Sequence, residues 1–179
     1  ERDERANRLA NLFASLGLAP GDHVAICAEN QIRFLELAWG AHYAGLVYTF
    51  ASTRLTSEEL AYIVDDCGAR VYICTAYTAE QSAGIIADTP KVEHRFIVGG
   101  TLEGHESYED AIAAQSPDPA PDRVAGNDML YSSGTTGRPK GVSVALSGNG
   151  LDQPTSVTAL AQLLLGYDED TVYLSPAPM

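Results

Sequence analysis

Thr56-Ser57-Glu58-Glu59-Leu60-Ala61-Tyr62-Ile63-Val64-Asp65-Asp66-Cys67-Gly68-Ala69-Arg70-Val71-Tyr72-Ile73-Cys74-Thr75 reads as a helix followed at once by a strand. Thr56 and Glu59 stand three residues apart. In that spacing each side chain satisfies a backbone N–H of the opening turn, while Leu55 and Leu60 can close an apolar staple across it. The helix runs to about Cys67, and Gly68 ends it by accepting a left-handed conformation. Arg70 to Thr75, rich in β-branched residues, reads as a strand.

The same step repeats on both sides. Upstream, Leu9, Leu12, Phe13 and Leu16 recur at helical spacing, Gly17 closes the helix, and Pro20-Gly21-Asp22 supplies a turn before the strand His23 to Ala28. Asn30 is a candidate cap for a helix over Gln31 to Ala44, whose apolar residues cover more than one face. Gly45 ends it, and Leu46 to Phe50 reads as a strand. Downstream, Ala79 to Ala87 reads as a helix, Arg95 to Val98 as a strand, Gly99 to Gly104 as a loop and Tyr108 to Ala114 as a short helix. Parallel strands need a crossover, commonly helical, so this alternation predicts an α/β fold: a layered, mainly parallel sheet flanked by helices. The prolines of Ser116 to Asp122 predict an extended connector, either a domain linker or a surface excursion. No internal repeat is present.

Composition narrows the function classes. With 45% hydrophobic and 20% charged residues in 179, the chain has the make-up of a globular protein. A net charge of −13 disfavours nucleic acid and anionic membrane surfaces as partners. The longest apolar region, Phe34 to Ala51, is interrupted by Glu36, Gly40, His42 and Gly45, so no transmembrane segment is expected. Cys27, Cys67 and Cys74 have neither a zinc-ligand spacing nor an even count, so buried free thiols in a reducing, cytoplasmic compartment are expected. His23, His42, His94 and His105 lack a partner acid at useful spacing and receive no role. Asp65-Asp66 and Asp168-Glu169-Asp170 read as solvated acids at element ends, and no metal ligands are assigned.

The chemistry concentrates between Tyr131 and Val142. Met129 to Tyr131 reads as a strand end, Val142 to Val144 as the next strand, and Ser132-Ser133-Gly134-Thr135-Thr136-Gly137-Arg138-Pro139-Lys140-Gly141 as the loop between them. Three glycines let backbone N–H groups turn toward an anion, four hydroxyls add donors, and Lys140 adds a mobile charge. Lys140 is one of only two lysines in the sequence, the other being Lys91. The plain alternative is a hairpin whose hydroxyls satisfy its own turns. A Walker A loop needs Ser or Thr directly after its lysine and a helix beyond. Gly141 and a strand follow Lys140 instead, and the glycines at 134, 137 and 141 do not match a Rossmann fingerprint.

This loop resembles the signature loop of the adenylate-forming enzymes, and within them it is most similar to bacterial fatty-acyl-CoA synthetases. The resemblance extends through Pro20-Gly21-Asp22-His23-Val24-Ala25-Ile26, through Trp39-Gly40-Ala41 to Gly45, and through Asp170-Thr171-Val172-Tyr173-Leu174-Ser175-Pro176-Ala177-Pro178. It implies an acid–thiol ligase using ATP, Mg2+ and coenzyme A, with a small-molecule carboxylic acid of the fatty-acid type as substrate. In that family the carboxylate attacks the α-phosphorus, an acyl-adenylate forms with loss of pyrophosphate, and coenzyme A displaces AMP. Carried over, Ser132, Ser133, Gly134, Thr135, Thr136, Gly137, Lys140 and Gly141 would surround the ATP phosphates, with Lys140 as the catalytic group stabilising the leaving pyrophosphate. Residues 1–179 would then be a partial N-terminal AMP-binding domain, with the small C-terminal domain absent and the segment inactive by itself. Two alternatives stay open: transfer of the acyl group to a carrier protein, and a non-catalytic phosphate-binding module.

Overall fold

The computed structural model describes residues 2–132, 138–153, 156–168 and 170–172. Its core is a sheet in the order β5-β4-β3-β1-β2-β6-β7. The strands are β1 (His23–Cys27), β2 (Val47–Ala51), β3 (Val71–Thr75), β4 (His94–Val98), β5 (Glu106–Ser107), β6 (Asn127–Ser132) and β7 (Lys140–Ser143). Neighbours from β5 to β6 are parallel, and β6 and β7 form an antiparallel hairpin. The helices are α1 (Arg2–Ser15), α2 (Phe34–Tyr43), α3 (Ser57–Asp66), α4 (Ala79–Ala83), α5 (Tyr108–Ala113) and α6 (Ser156–Leu165).

Side chains of a strand alternate between faces, and here both faces are covered. Val24, Ile26, Val71, Ile73, Phe96 and Val98 bury one face among residues of α1, α2 and α5, including Leu9, Phe13, Leu37 and Tyr108. Ala25, Cys27, Tyr72, Cys74 and Ile97 bury the other with Leu60, Ile63 and Val64 of α3. All five residues of β3 are consequently buried. The sequence expectation of a mainly parallel sheet between helical layers holds.

Local signals set several boundaries. Thr56 caps α3 by accepting from the Glu59 N–H at 3.3 Å, and Glu59 Oε2 accepts from the Thr56 N–H at 2.9 Å. Gly17 and Gly68 end their helices at φ +78° and +72°.

Other expectations need correction. The helix expected from Gln31 starts at Phe34, with Arg33 rather than Asn30 at the cap position and no side-chain cap bond. Phe34 stacks on Phe50 of β2 at 4.3 Å, a tertiary contact with no local signature. The helix expected over Ala79 to Ala87 stops at Ala83 and resumes only as a 3-10 turn over Ile86–Asp88. Gly84 caps α4 where a Cβ would lie 2.9 Å from that of Ser57. The strand β5 and the helix α6 had no counterpart in the sequence reading. The Tyr173 to Pro178 part of the segment that carries the resemblance lies outside the described residues.

The proline-containing connector is a surface excursion of the same body. Asn11 of α1 donates to the carbonyls of Ser116 and Asp118, each at 2.9 Å, and Arg8 donates to Gln115 O.

Candidate active site

β6 pairs with β2 at only two positions, Val47 with Asn127 and Tyr48 with Asp128, then leaves the sheet and forms the hairpin with β7. Because β6 is parallel to β1 and β2, its far end lies at the carboxyl edge of the sheet. Open α/β sheets place their ligands along that edge.

Across the hairpin Ser132 pairs with Lys140 and Tyr131 with Gly141. Directly opposed residues share a face, so the four sort into two pairs. Ser132 and Lys140 are exposed, and the Ser132 hydroxyl reaches Lys140 O at 3.5 Å. Tyr131 and Gly141 are half-buried on the other side, toward α3. A Cβ on Gly141 would meet the tip of the Met129 side chain and lie 3.0 Å from Tyr131 Cζ, so any larger residue here must move the methionine tip and press on the tyrosine ring.

α3 grips this side. The Tyr131 hydroxyl donates to Asp66 Oδ2 at 2.6 Å, and burial together with that carboxylate pushes the phenol well above its ordinary pKa. The Tyr62 hydroxyl donates to Pro139 O at 3.0 Å, and the Arg138 guanidinium lies 5.0 Å from the centre of the Tyr62 ring. Between α3 and the hairpin is a cavity of about 510 Å³ lined by Glu58, Tyr62, Asp65, Asp66, Asp88 and Arg138.

Of the sequence-predicted site residues, the structure places Ser132, Lys140 and Gly141 together at the base of the loop. Ser133, Gly134, Thr135, Thr136 and Gly137 lie outside the described residues. The donor chemistry suits a polyphosphate: a hydroxyl and an ammonium project from one exposed face, and among the described residues no carboxylate pairs with Lys140. Among the described residues no group of three or more His, Cys, Asp or Glu is arranged to hold a metal.

The strand-loop-strand geometry at the carboxyl edge of a helix-flanked sheet coincides with a family match. The AMP-binding enzyme family matches residues 1–179. The chain is a member of that family. Among curated relatives, it is 29% identical to a 4-hydroxybenzoate–CoA/benzoate–CoA ligase of Rhodopseudomonas palustris over 96% of this chain and 32% of that protein. It is 34% identical to a long-chain-fatty-acid–CoA ligase of Mycobacterium tuberculosis over 76% of this chain and 27% of that protein. Among solved structures, an anthranilate CoA ligase in complex with anthranoyl-AMP superposes with a TM-score of 0.70 at 28% identity, over 79% of this chain and 28% of that one. This AMP-binding family member therefore spans about a third of the length of the first of these relatives.

Tyr62 and Arg138 were not among the expected site residues, and Asp65 and Asp66 were expected to be merely solvated. Asp66 instead anchors Tyr131, and Asp65 pairs with Lys91 at 3.4 Å. The available signal was the spacing of Tyr62 and Asp66, four residues apart and so on one face of α3. Among the described residues no helix is long and apolar enough to cross a membrane.

Proposed function

We propose that this chain supplies the phosphate-binding part of an ATP-dependent acyl-CoA ligase that converts a carboxylic acid to an acyl-adenylate and then to its coenzyme A thioester. The observation that carries this reading is the pairing of Ser132 with Lys140 on an exposed hairpin face, at either end of the glycine- and hydroxyl-rich loop. The names of the relatives support it. They are CoA ligases of aromatic and fatty acids, and they favour coenzyme A over a carrier protein as acceptor.

In the proposed reaction the substrate carboxylate attacks the α-phosphorus of ATP and the bond to the β-phosphate breaks. Negative charge accumulates on the departing pyrophosphate. The hydroxyls of Ser132, Ser133, Thr135 and Thr136 and the ammonium of Lys140 would bind it, and donors placed where charge develops lower the barrier. Gly134 and Gly137 would let backbone N–H groups approach the phosphates, and Gly141 keeps the hairpin base narrow. Mg2+ carried by the nucleotide would supply further charge neutralisation. The reaction is assigned to the cytoplasm, in keeping with three reduced, buried cysteines.

The test is Lys140→Ala in the full-length protein. Adenylation, followed by ATP–pyrophosphate exchange, should slow by about 10²- to 10³-fold. Thioester formation from supplied acyl-adenylate should change far less. Equal slowing of the two half-reactions would sink the leaving-group role.

A further inference from the structure

Tyr62 and Asp66 lie one turn apart on α3, and each holds a different leg of the same loop. Asp66 takes the Tyr131 hydroxyl at 2.6 Å, one residue before Ser132. Tyr62 takes Pro139 O at 3.0 Å, one residue before Lys140. We propose that Tyr62 and Asp66 are positioning residues that fix both ends of the phosphate loop against α3, an inference that rests on the reading of that loop as a polyphosphate cradle.

The physical case begins with what α3 is. Leu60, Ile63 and Val64 bury its inner face at 0 to 4% exposure, and a capping box fixes its start. It is therefore a reference surface tied to the core. The hairpin has little such support of its own: Leu130 and Val142 are 65% and 60% exposed, and β6 keeps only two pairings to the sheet. Donors carried on a loop converge on one phosphate geometry only if the ends of the loop are held. Small misplacements of binding groups are expensive in rate.

The two anchors differ in chemistry. Tyr131 to Asp66 is a bond to a carboxylate, shorter and stronger than one between neutral groups. Tyr62 combines a neutral bond to a backbone carbonyl with a ring face turned to the Arg138 guanidinium, an attractive arrangement for a cation. Glu58, Asp65, Asp66 and Asp88 around the adjoining cavity add attraction for Arg138. The hairpin's two cations are thereby separated by task. Arg138 is committed to α3, and Lys140 remains exposed on the opposite face for the ligand.

The experiment uses the full-length protein with Tyr62→Phe, Asp66→Asn and Tyr131→Phe. Tyr62→Phe keeps the ring under Arg138 and removes only the bond to Pro139. KM for ATP in pyrophosphate exchange should rise about three- to tenfold in Tyr62→Phe, the scale of one neutral bond. It should rise by at least about tenfold in Tyr131→Phe, which loses a bond to a carboxylate, with Asp66→Asn, which keeps a neutral acceptor, rising less than Tyr131→Phe. KM for the acid, thioester formation from supplied acyl-adenylate and the melting temperature should stay near wild type. Asp66→Asn combined with Tyr131→Phe should cost less than the two single effects added together, since both act on the Tyr131–Asp66 bond. An unchanged KM for ATP, or parallel losses in both half-reactions with a lowered melting temperature, overturns the proposal. Lys140→Ala measured alongside separates the two ideas: a normal adenylation rate there sinks the cradle itself. A slowed Lys140→Ala with unaffected Tyr62 and Asp66 variants sinks only the anchors.

Discussion

Tyr108 donates its hydroxyl to Glu36 Oε1 at 2.6 Å, while Glu36 Oε2 accepts from Arg5 at 2.7 Å and from Arg33 at 3.1 Å. One carboxylate, 1% exposed, thus joins α1, α2 and α5 over the same sheet face. Removing one member of a buried ion cluster leaves the others uncompensated, which costs about 3–5 kcal/mol for a dry pair. Arg5 and Arg33 retain 20% and 30% side-chain exposure, so Glu36→Ala should fall at the lower end of that range. Tyr108→Phe removes one bond to a charged acceptor and should cost about 1.5–3 kcal/mol. Urea unfolding of the two variants checks the order; a milder effect for Glu36→Ala would contradict the role given to this carboxylate.

The contrast between these residues and Thr56 explains how far the sequence could be read. The capping box was legible because its partners are three residues apart and the physics is local. The α2 start was not, because Phe34 is fixed by a ring from another strand. β5 is two residues long and exists only through its pairing with β4. At the site, glycines, hydroxyls and Lys140 are contiguous in sequence, so the loop announced itself. Its anchors lie 65 and 77 residues away along the chain, a separation at which a single sequence carries no pairing information.

Gly126 enters β6 where space runs out. A Cβ there would lie 2.4 Å from Leu46 O and 3.1 Å from Ala41 O, both backbone atoms that cannot rotate aside. Its N–H bonds to His42 O at 2.9 Å, and the next N–H bonds to Leu46 O at 3.0 Å. Gly126→Ala must therefore push β6 off β2, at a cost of roughly 1–3 kcal/mol, typical of overpacking. Thermal denaturation should show the loss, and amide exchange at Asn127 should accelerate. An unchanged exchange rate with an unchanged melting temperature would mean that the strand entry is looser than this geometry.

Stability should depend on pH through the histidines. Burial lowers the pKa of His23, His42 and His105, with Asp22 opposing at His23 and backbone carbonyls at the other two. Nδ1 of His23 and His42 and Nε2 of His105 are buried without a hydrogen-bond partner among the described residues. With the native value below the unfolded one of about 6.5, the unfolded chain binds more protons in the interval between them. The stabilisation is therefore complete above that unfolded value and is lost as pH falls through the native values. Unfolding free energy should decline from pH 7.5 to 5.5, and His42→Gln should flatten part of the slope. The depressed carboxyls of Glu59 and Glu93 act in a lower window, as pH falls from 4.5. A flat profile between pH 7.5 and 5.5 would rule out the histidine contribution.

The three cysteines offer a check on burial that needs no ligand. Desolvation raises Cys27, pushes Cys67 up to about 11 and Cys74 up to about 12. All three are at most 4% exposed, with Cys27 and Cys74 side by side on neighbouring strands. Only the thiolate attacks an alkylating agent, and at pH 8 a thiol with pKa 11 is ionised to roughly one part in a thousand. Access is closed as well. Iodoacetamide at pH 8 should leave peptides carrying Cys27, Cys67 and Cys74 unmodified in the native protein and should label all three in denaturant, as read by mass spectrometry. Labelling of Cys74 under native conditions would place a local opening at the β1–β3 centre of the sheet, where packing on both faces argues for the slowest opening in the molecule.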